Sequence, residues 1–172
     1  GWREQDHDAA QDPELHQILL EADVLSPWSV GRFGDLPGLK RHTTKYWSQD
    51  IAWARDHGID YMPVVFPGFS WFNFRQGKAP LASIPRLQGK FLWSQIVANK
   101  KAGADMIYIA MFDEVDEATS IFKCTDTPPT QDGVQFLDME GLPSDFYLRL
   151  TGKAGELLRD EIPLTVQIPL IP

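Results

Sequence analysis

The chain has 172 residues, 43% of them hydrophobic, which is enough for one substantial core at the usual scale of about 100 to 200 residues per domain. Its formal net charge is -8 and its 16 Lys and Arg are scattered along the sequence, so it carries no basic patch of the kind a nucleic-acid partner needs. A single cysteine, Cys124, excludes an intrachain disulfide and a cysteine-based zinc site, and no run approaches the ~18 apolar residues of a membrane span.

In chain order, Val24 to Trp28 is short, largely apolar and followed by Gly31, Gly34, Pro37 and Gly38, which reads as a strand and a loop. Thr43 and Thr44 are candidate caps for a helix in which Trp47, Ile51, Trp53 and Ala54 recur at near-helical spacing until Gly58 stops it. Tyr61 to Phe66 is a continuous apolar run with Pro63 near its start, closed by Pro67 and Gly68, as in a strand covered on both faces. A long aromatic loop follows, from Phe69 through Trp71, Phe72, Asn73, Phe74 and Arg75 to Arg86, and its length points to function rather than connection.

The stretch between Gly89 and Gly103 has good helix formers, a Lys100-Lys101 pair near its end and a glycine stop. Met106 to Phe112 is apolar throughout and runs directly into Asp113, Glu114, Asp116 and Glu117. Residues 125 to 141 are rich in Pro, Thr, Asp and Gly and read as an irregular excursion; Ser144 or Thr151 is the candidate cap of a last helix near Lys153 to Arg159. The tail from Ile162 to Pro172 is punctuated by prolines and does not suit a central strand.

Strand, helix, strand, helix, strand is the order of βαβ units, whose strands lie parallel, in an open sheet or in a barrel. In both, ligands sit at the C-terminal ends of the strands. Those ends carry Trp28, the loop from Phe69 to Arg75 and the acidic cluster.

The cluster places four carboxylates within five positions. Like charges raise one another's pKa, which can keep one carboxyl protonated as an acid beside an ionised base, the pairing that glycosidic bond cleavage uses. The same residues also suit an acidic helix N-terminus or a divalent-metal site. Glu114 and Glu117 share a face if the segment turns helical or forms a turn, and point to opposite sides if it stays extended.

Aromatic side chains near a mouth supply faces for the apolar C–H surfaces of sugars, and hydroxyls need polar partners. Trp28, Trp71, Phe72 and Phe74 stand beside Arg32, Asn73, Arg75 and Arg86 in this way, whereas Trp47, Trp53 and Trp93 fall inside predicted helices and read as packing residues. His7 reads as an exposed loop residue or a proton-transfer group, and no function attaches to His16, His42 or His57. No Gly-x-Ser-x-Gly elbow, phosphate loop or dinucleotide fingerprint occurs.

The segment Phe112-Asp113-Glu114-Val115-Asp116-Glu117-Ala118-Thr119-Ser120-Ile121 resembles the Phe-Asn-Glu-Trp-x-Glu-Gly-Thr-x-Ile signature of glycoside hydrolase family 99, the endo-α-mannosidases and endo-α-mannanases. Asp113 stands where that signature has Asn, Val115 where it has Trp, and Ala118 where it has Gly. Further segments, from Ser26 to Arg32, Met62 to Trp71 and Ile107 to Glu114, are similar to bacterial family 71/99-like proteins often labelled xylosidase/arabinosidase.

The resemblance implies a (β/α)₈ barrel of which residues 1–172 form a partial catalytic domain, about the last three or four βα units, with the N-terminal half supplied by another chain or missing from this one. It implies an enzyme that needs no cofactor and no metal and acts on an oligosaccharide or polysaccharide, endo-acting on α-linked, mannan-like glycans with retention. Glu114 is then the base that draws the proton from the sugar 2-hydroxyl to form a 1,2-anhydro intermediate, and Glu117 the acid that protonates the leaving oxygen and later activates water. Trp28, Arg32, Trp71, Asn73, Arg86 and Asp113 are the implied substrate-binding residues, and a secreted or periplasmic location follows from the resemblance alone. A carbohydrate-binding protein without turnover and a metal-dependent hydrolase remain the alternatives.

Overall fold

The computed structural model describes residues 1–129 and 131–169. Its elements are α1 (Leu15–Leu19), β1 (Val24–Leu25), α2 (Leu36–His42), α3 (Ser48–Asp56), β2 (Asp60–Tyr61), β3 (Val64–Val65), α4 (Lys90–Ala102), β4 (Tyr108–Ile109) and α5 (Phe146–Leu158). None of these helices is long and apolar enough to cross a membrane.

The strands run parallel: β1 pairs with β2 in the register Val24 to Asp60, and β3 pairs with β4 in the register Val64 to Tyr108. Met62 and Pro63 separate β2 from β3 without ending the extended chain. Met62 N–H donates to the Leu25 carbonyl at 2.8 Å, and the Pro63 carbonyl, whose own nitrogen has no proton to give, accepts from Tyr108 N–H at 3.0 Å. The run of residues 60–65 is therefore one interrupted middle strand, with β1 on one side and β4 on the other. This is a small α/β fold with an open sheet among the described residues. The expected barrel is not closed here, since closure around a filled interior takes about eight strands.

The middle strand is as buried as its unbroken apolar run predicts, with Val64, Val65 and Phe66 shut off from solvent. The outer strand β4 is less covered: Tyr108 is 40% exposed and Phe112, three residues past the strand, 59%, with no further strand beside β4 among the described residues.

Phe91, Leu92, Trp93, Ile96 and Val97 of α4 are buried to 3% exposure or less and form the centre of the core. Phe33, Trp47, Phe66 and Phe91 join it as a ring cluster with centroids 5.3 to 5.8 Å apart, spacings at which edge and tilted contacts are favourable. Gln95 locks α4 to the middle strand: its side-chain oxygen accepts from Phe66 N–H at 3.1 Å and its amide nitrogen donates to the Phe66 carbonyl at 2.7 Å. Both backbone groups of Phe66 are thus satisfied where the sheet gives way to loop. Helix α5 closes on α4 at Gly89, where a Cβ would come within 2.6 Å of the Phe146 ring.

Helix starts depart from expectation. Thr43 and Thr44 do not cap; they lie inside a continuous helical run from Leu36 to Asp56, in a π-helical stretch from Thr43 to Trp47, and their hydroxyls bond back to the Leu39 and Lys40 carbonyls. The cap is Asp35, whose carboxylate accepts from Gly38 N–H at 2.6 Å. Thr151 likewise sits within α5, which begins after Asp145 with no side-chain cap, so neither Ser144 nor Thr151 starts that helix. Helix α4 ends as expected, with Gly103 in the left-handed region at φ 95°. The proline-rich tail forms no strand over residues 162–169, and residues 170–172 lie outside the described chain. Trp93 Nε1–H binds the tail at the Thr165 carbonyl, 3.1 Å away.

Candidate functional site

Beyond β4 the chain makes a pinched loop. Met111 N–H donates to the Thr119 carbonyl at 2.9 Å, Ile121 N–H to the Met111 carbonyl at 3.1 Å, and Phe122 N–H to the Phe112 carbonyl at 2.9 Å, so the two stems run side by side. Inside, the Glu114 carbonyl accepts from Thr119 N–H at 3.1 Å and Ser120 N–H at 2.9 Å, and residues 115–118 form a turn rather than a helix. Ala118 completes it with φ 57°, a conformation in which glycine is the easier residue.

Within this turn Glu117 is half-buried, and its carboxyl is held above the ordinary glutamate range, first by burial and then by the negative charges of Glu114 and Asp116. Asp113 and Glu114 are exposed. Among the described residues no three His, Cys, Asp or Glu side chains gather as a metal-binding group, so the four acids do not converge on one point.

The aromatic loop reaches the acids through two hydrogen bonds. Ser70 N–H donates to the Glu117 carbonyl at 2.7 Å. Asn73 Nδ2 donates to Asp116 Oδ1 at 2.7 Å. Phe69 and Ile84 pair across the base of this loop with reciprocal backbone bonds of 2.9 Å, and Trp71 N–H is held by Ser83 Oγ at 3.0 Å. On that base stands an exposed ledge: Trp71 is 37% and Phe74 66% exposed, their rings are 5.7 Å apart, and the Arg75 guanidinium lies 5.7 and 5.8 Å from the two rings. Trp71, Asn73, Asp116 and Glu117 are thereby brought together.

Arg86 occupies a different kind of place from a mouth residue. It is 4% exposed; Nε and Nη2 donate to the Ala118 carbonyl at 3.1 and 2.8 Å, Nη2 also reaches the Ser120 carbonyl at 3.1 Å, and the guanidinium stacks 4.5 Å from the Tyr147 ring. Gly68 makes room for it, since a Cβ there would meet Arg86 Cγ at 2.7 Å and the Ile84 carbonyl at 2.8 Å. Arg86 therefore holds the backbone of the acidic loop from beneath. Asn73 is similarly engaged, for beyond Asp116 it binds both backbone groups of Gln135, at 2.8 and 3.0 Å.

Trp28 and Arg32 line a separate cavity of about 440 Å³ whose walls include no residue of the acidic loop. Arg32 donates to Asp8 at 2.5 Å, and His42, Tyr46 and Asp50 share the lining. Burial, then the nearby positive charge of Arg32, brings His42 down to about 4, which leaves it neutral at pH 7. Asp50 is 3% exposed, and burial raises its pKa against the opposing pull of Arg3, whose Nε donates to it at 2.9 Å; Tyr61 OH adds a bond of 3.2 Å. Sequence reasoning passed over Asp50 and Tyr61. The available signal was an acid on the apolar stripe of Trp47, Ile51 and Ala54. His7 binds Tyr46 OH at 3.0 Å on the rim.

Among the solved structures that share this fold are two of the GH99 endo-α-mannosidase from Bacteroides thetaiotaomicron, one of them in complex with bis-tris-propane. Each is 23% identical to this chain with a TM-score of 0.65, over 81% and 80% of its length. The chain spans about two fifths of the enzymes it matches, 41% and 38% of the two solved chains. No protein-family model and no curated protein matches the sequence. The likeness establishes that the open parallel sheet and its helices have the fold of part of a glycoside hydrolase barrel.

Proposed function

We propose that this chain carries the acid–base loop of a glycoside hydrolase, with Glu117 as the general acid and Glu114 as its basic partner. The observation that carries the reading is the environment of Glu117, half-buried and flanked by Glu114 and Asp116, which favours its protonated form beside a second, exposed carboxylate. A carboxyl that must donate a proton to a leaving oxygen at neutral pH needs this displacement. The Trp71 and Phe74 ledge, tied to the same loop through Ser70 and Asn73, supplies faces on which sugar rings stack.

The chemistry follows the balance of protons. Glu114 takes the proton of the sugar 2-hydroxyl as that oxygen attacks the anomeric carbon, and Glu117 gives its proton to the departing glycosidic oxygen. The resulting 1,2-anhydro sugar is opened by water, which loses a proton to the now ionised Glu117 while Glu114 returns its proton to the 2-oxygen. Two inversions give net retention. The substrate in this reading is an α-linked, mannan-like glycan cut internally, and Asp113 borders the site. The likeness to family 71/99-like proteins and a secreted or periplasmic location belong to the same proposal, as does completion of the barrel by further strands from a polypeptide outside residues 1–172.

The test is hydrolysis of activated α-glycosides and α-mannan oligosaccharides by the wild-type chain and by Glu117→Gln, with sugar binding measured in parallel. Turnover lost in the variant with binding kept supports the reading. Sugar binding without turnover on any of these substrates, by the wild-type chain together with the polypeptide that completes the barrel, overturns it in favour of a carbohydrate-binding module.

A further inference from the structure

Residues 61 to 104 contain no Asp or Glu, in a chain that has 24 acids against 16 Lys and Arg. The basic residues of that stretch are Arg75, Lys78, Arg86, Lys90, Lys100 and Lys101. Arg86 is engaged by the Ala118 and Ser120 carbonyls and Lys100 by Asp160, while Lys90 and Lys101 lie on α4. That leaves Arg75 and Lys78, both exposed, on the aromatic loop with Trp71 and Phe74. Asp116, the acid this loop reaches, takes its hydrogen bond from the neutral Asn73 amide. Neither Arg75 nor Lys78 forms an ion pair among the described residues. The turn that carries them is tightly bonded: Arg75 N–H donates to the Trp71 carbonyl at 2.8 Å, Gly77 N–H to the Phe72 carbonyl at 2.8 Å and Lys78 N–H to the Arg75 carbonyl at 3.1 Å. The Arg75 guanidinium, 5.7 and 5.8 Å from the two rings, therefore stands against a stacking surface with no carboxylate to receive it.

We propose that the ledge is a subsite for an acidic sugar, a pyranose ring stacked on Trp71 and Phe74 whose anionic oxygen substituent is received by Arg75 and Lys78. The inference rests on the glycan-cleaving reading above and adds the charge of the substrate, a mannan-like chain that bears carboxylate or phosphate groups. A guanidinium meets two anionic oxygens at once, and one already held against rings loses little freedom in doing so. The neighbouring acids sharpen the choice: Asp113, Glu114 and Asp116 repel an anionic substituent, so the charged group is favoured on the ledge and rejected at the acidic turn. Charge then sets the register of the glycan along the loop.

Binding to the full chain is followed by NMR titration with methyl α-mannoside and its 6-phosphate, with methyl α-glucoside and methyl α-glucuronide, and with inorganic phosphate. An anionic sugar that binds about tenfold tighter than its neutral counterpart at low salt supports the proposal, and the member of the two pairs with the larger preference identifies the substituent. The preference should vanish in about 1 M NaCl, where charges are screened beyond about 3 Å. Trp71→Ala should weaken charged and neutral sugars alike, whereas the double variant Arg75→Gln, Lys78→Gln should remove the preference alone. Equal affinity within both pairs, or no binding by any of the four sugars, overturns the proposal and leaves the acid–base pair to its own hydrolysis test. Inorganic phosphate binding as tightly as the 6-phosphate also overturns it, since the rings then contribute nothing, as does a preference that survives in the double variant. Preferential binding without hydrolysis of neutral or phosphorylated α-mannan oligosaccharides, by the chain together with the polypeptide that completes the barrel, overturns the catalytic reading and retains the ledge as an acidic-sugar site.

Discussion

Ser70 and Glu117 are joined by a backbone hydrogen bond of 2.7 Å from the Ser70 N–H to the Glu117 carbonyl. The bond places the start of the aromatic loop directly on the residue whose carboxyl pKa is raised by burial and by Glu114 and Asp116, and it does so without using either side chain. Glu117 is therefore oriented by its backbone, with its carboxyl left available for chemistry, while Trp71 is positioned one residue beyond the point of attachment.

Replacing Glu117 by Gln should lower kcat on activated α-glycosides by about 10²- to 10⁴-fold without loss of stability. A carboxyl whose folded pKa is raised contributes stability that is fully present below its unfolded value and is lost as pH rises through the folded one. Glutamine removes that loss, so the Tm of Glu117→Gln should gain on wild type as pH increases above the ordinary glutamate value of 4.5. Thermal melts at several pH values check the sign, and a variant that falls behind wild type as pH rises contradicts the assignment.

Asp116→Asn separates electrostatics from structure. Removing a negative charge beside Glu117 lets it release its proton at lower pH, so the alkaline limb of the kcat/KM profile should move toward acid. A profile that stays in place means that Glu117 does not govern that limb.

Asn73 joins three partners, and Asn73→Ala should cost about 1 to 2 kcal/mol, because the backbone groups of Gln135 and one oxygen of Asp116 lose their amide. Asn73→Asp should be worse than alanine, since it sets a second carboxylate against Asp116. Urea titrations of the two variants give the order directly.

At the base of the acidic loop, Arg86→Met removes the donors to the Ala118 and Ser120 carbonyls and should destabilise by about 3 kcal/mol. Arg86→Lys should recover only part of this, as a single ammonium cannot reproduce the fork. Gly68→Ala should also disturb this seam, by pressing on both the arginine stem and the Ile84 carbonyl. Equilibrium unfolding should place Arg86→Met below Arg86→Lys and show Gly68→Ala below wild type.

Gln95→Leu tests the other seam. It leaves the N–H and carbonyl of Phe66 without partners in a fully buried site, at a cost of about 2 kcal/mol, and hydrogen exchange at Phe66 should accelerate.

The run of residues 61 to 66, helix α4 with its glycine stop and the acidic cluster beyond β4 were all legible in the sequence, because continuous apolar runs, helix formers and a left-handed glycine act over a few residues. The tertiary structure alone decided that residues 115–118 turn rather than coil, that Arg86 and Asn73 hold the acidic loop instead of standing free at a mouth, and that Trp28 and Arg32 line another cavity. The placements of Arg32, Asn73 and Arg86 depend on partners 24 to 62 residues away in the chain. A guanidinium or an amide has the same local preferences whether its protons meet a sugar or a carbonyl, so only the packing that brings such distant groups within 3 Å determines which one it serves.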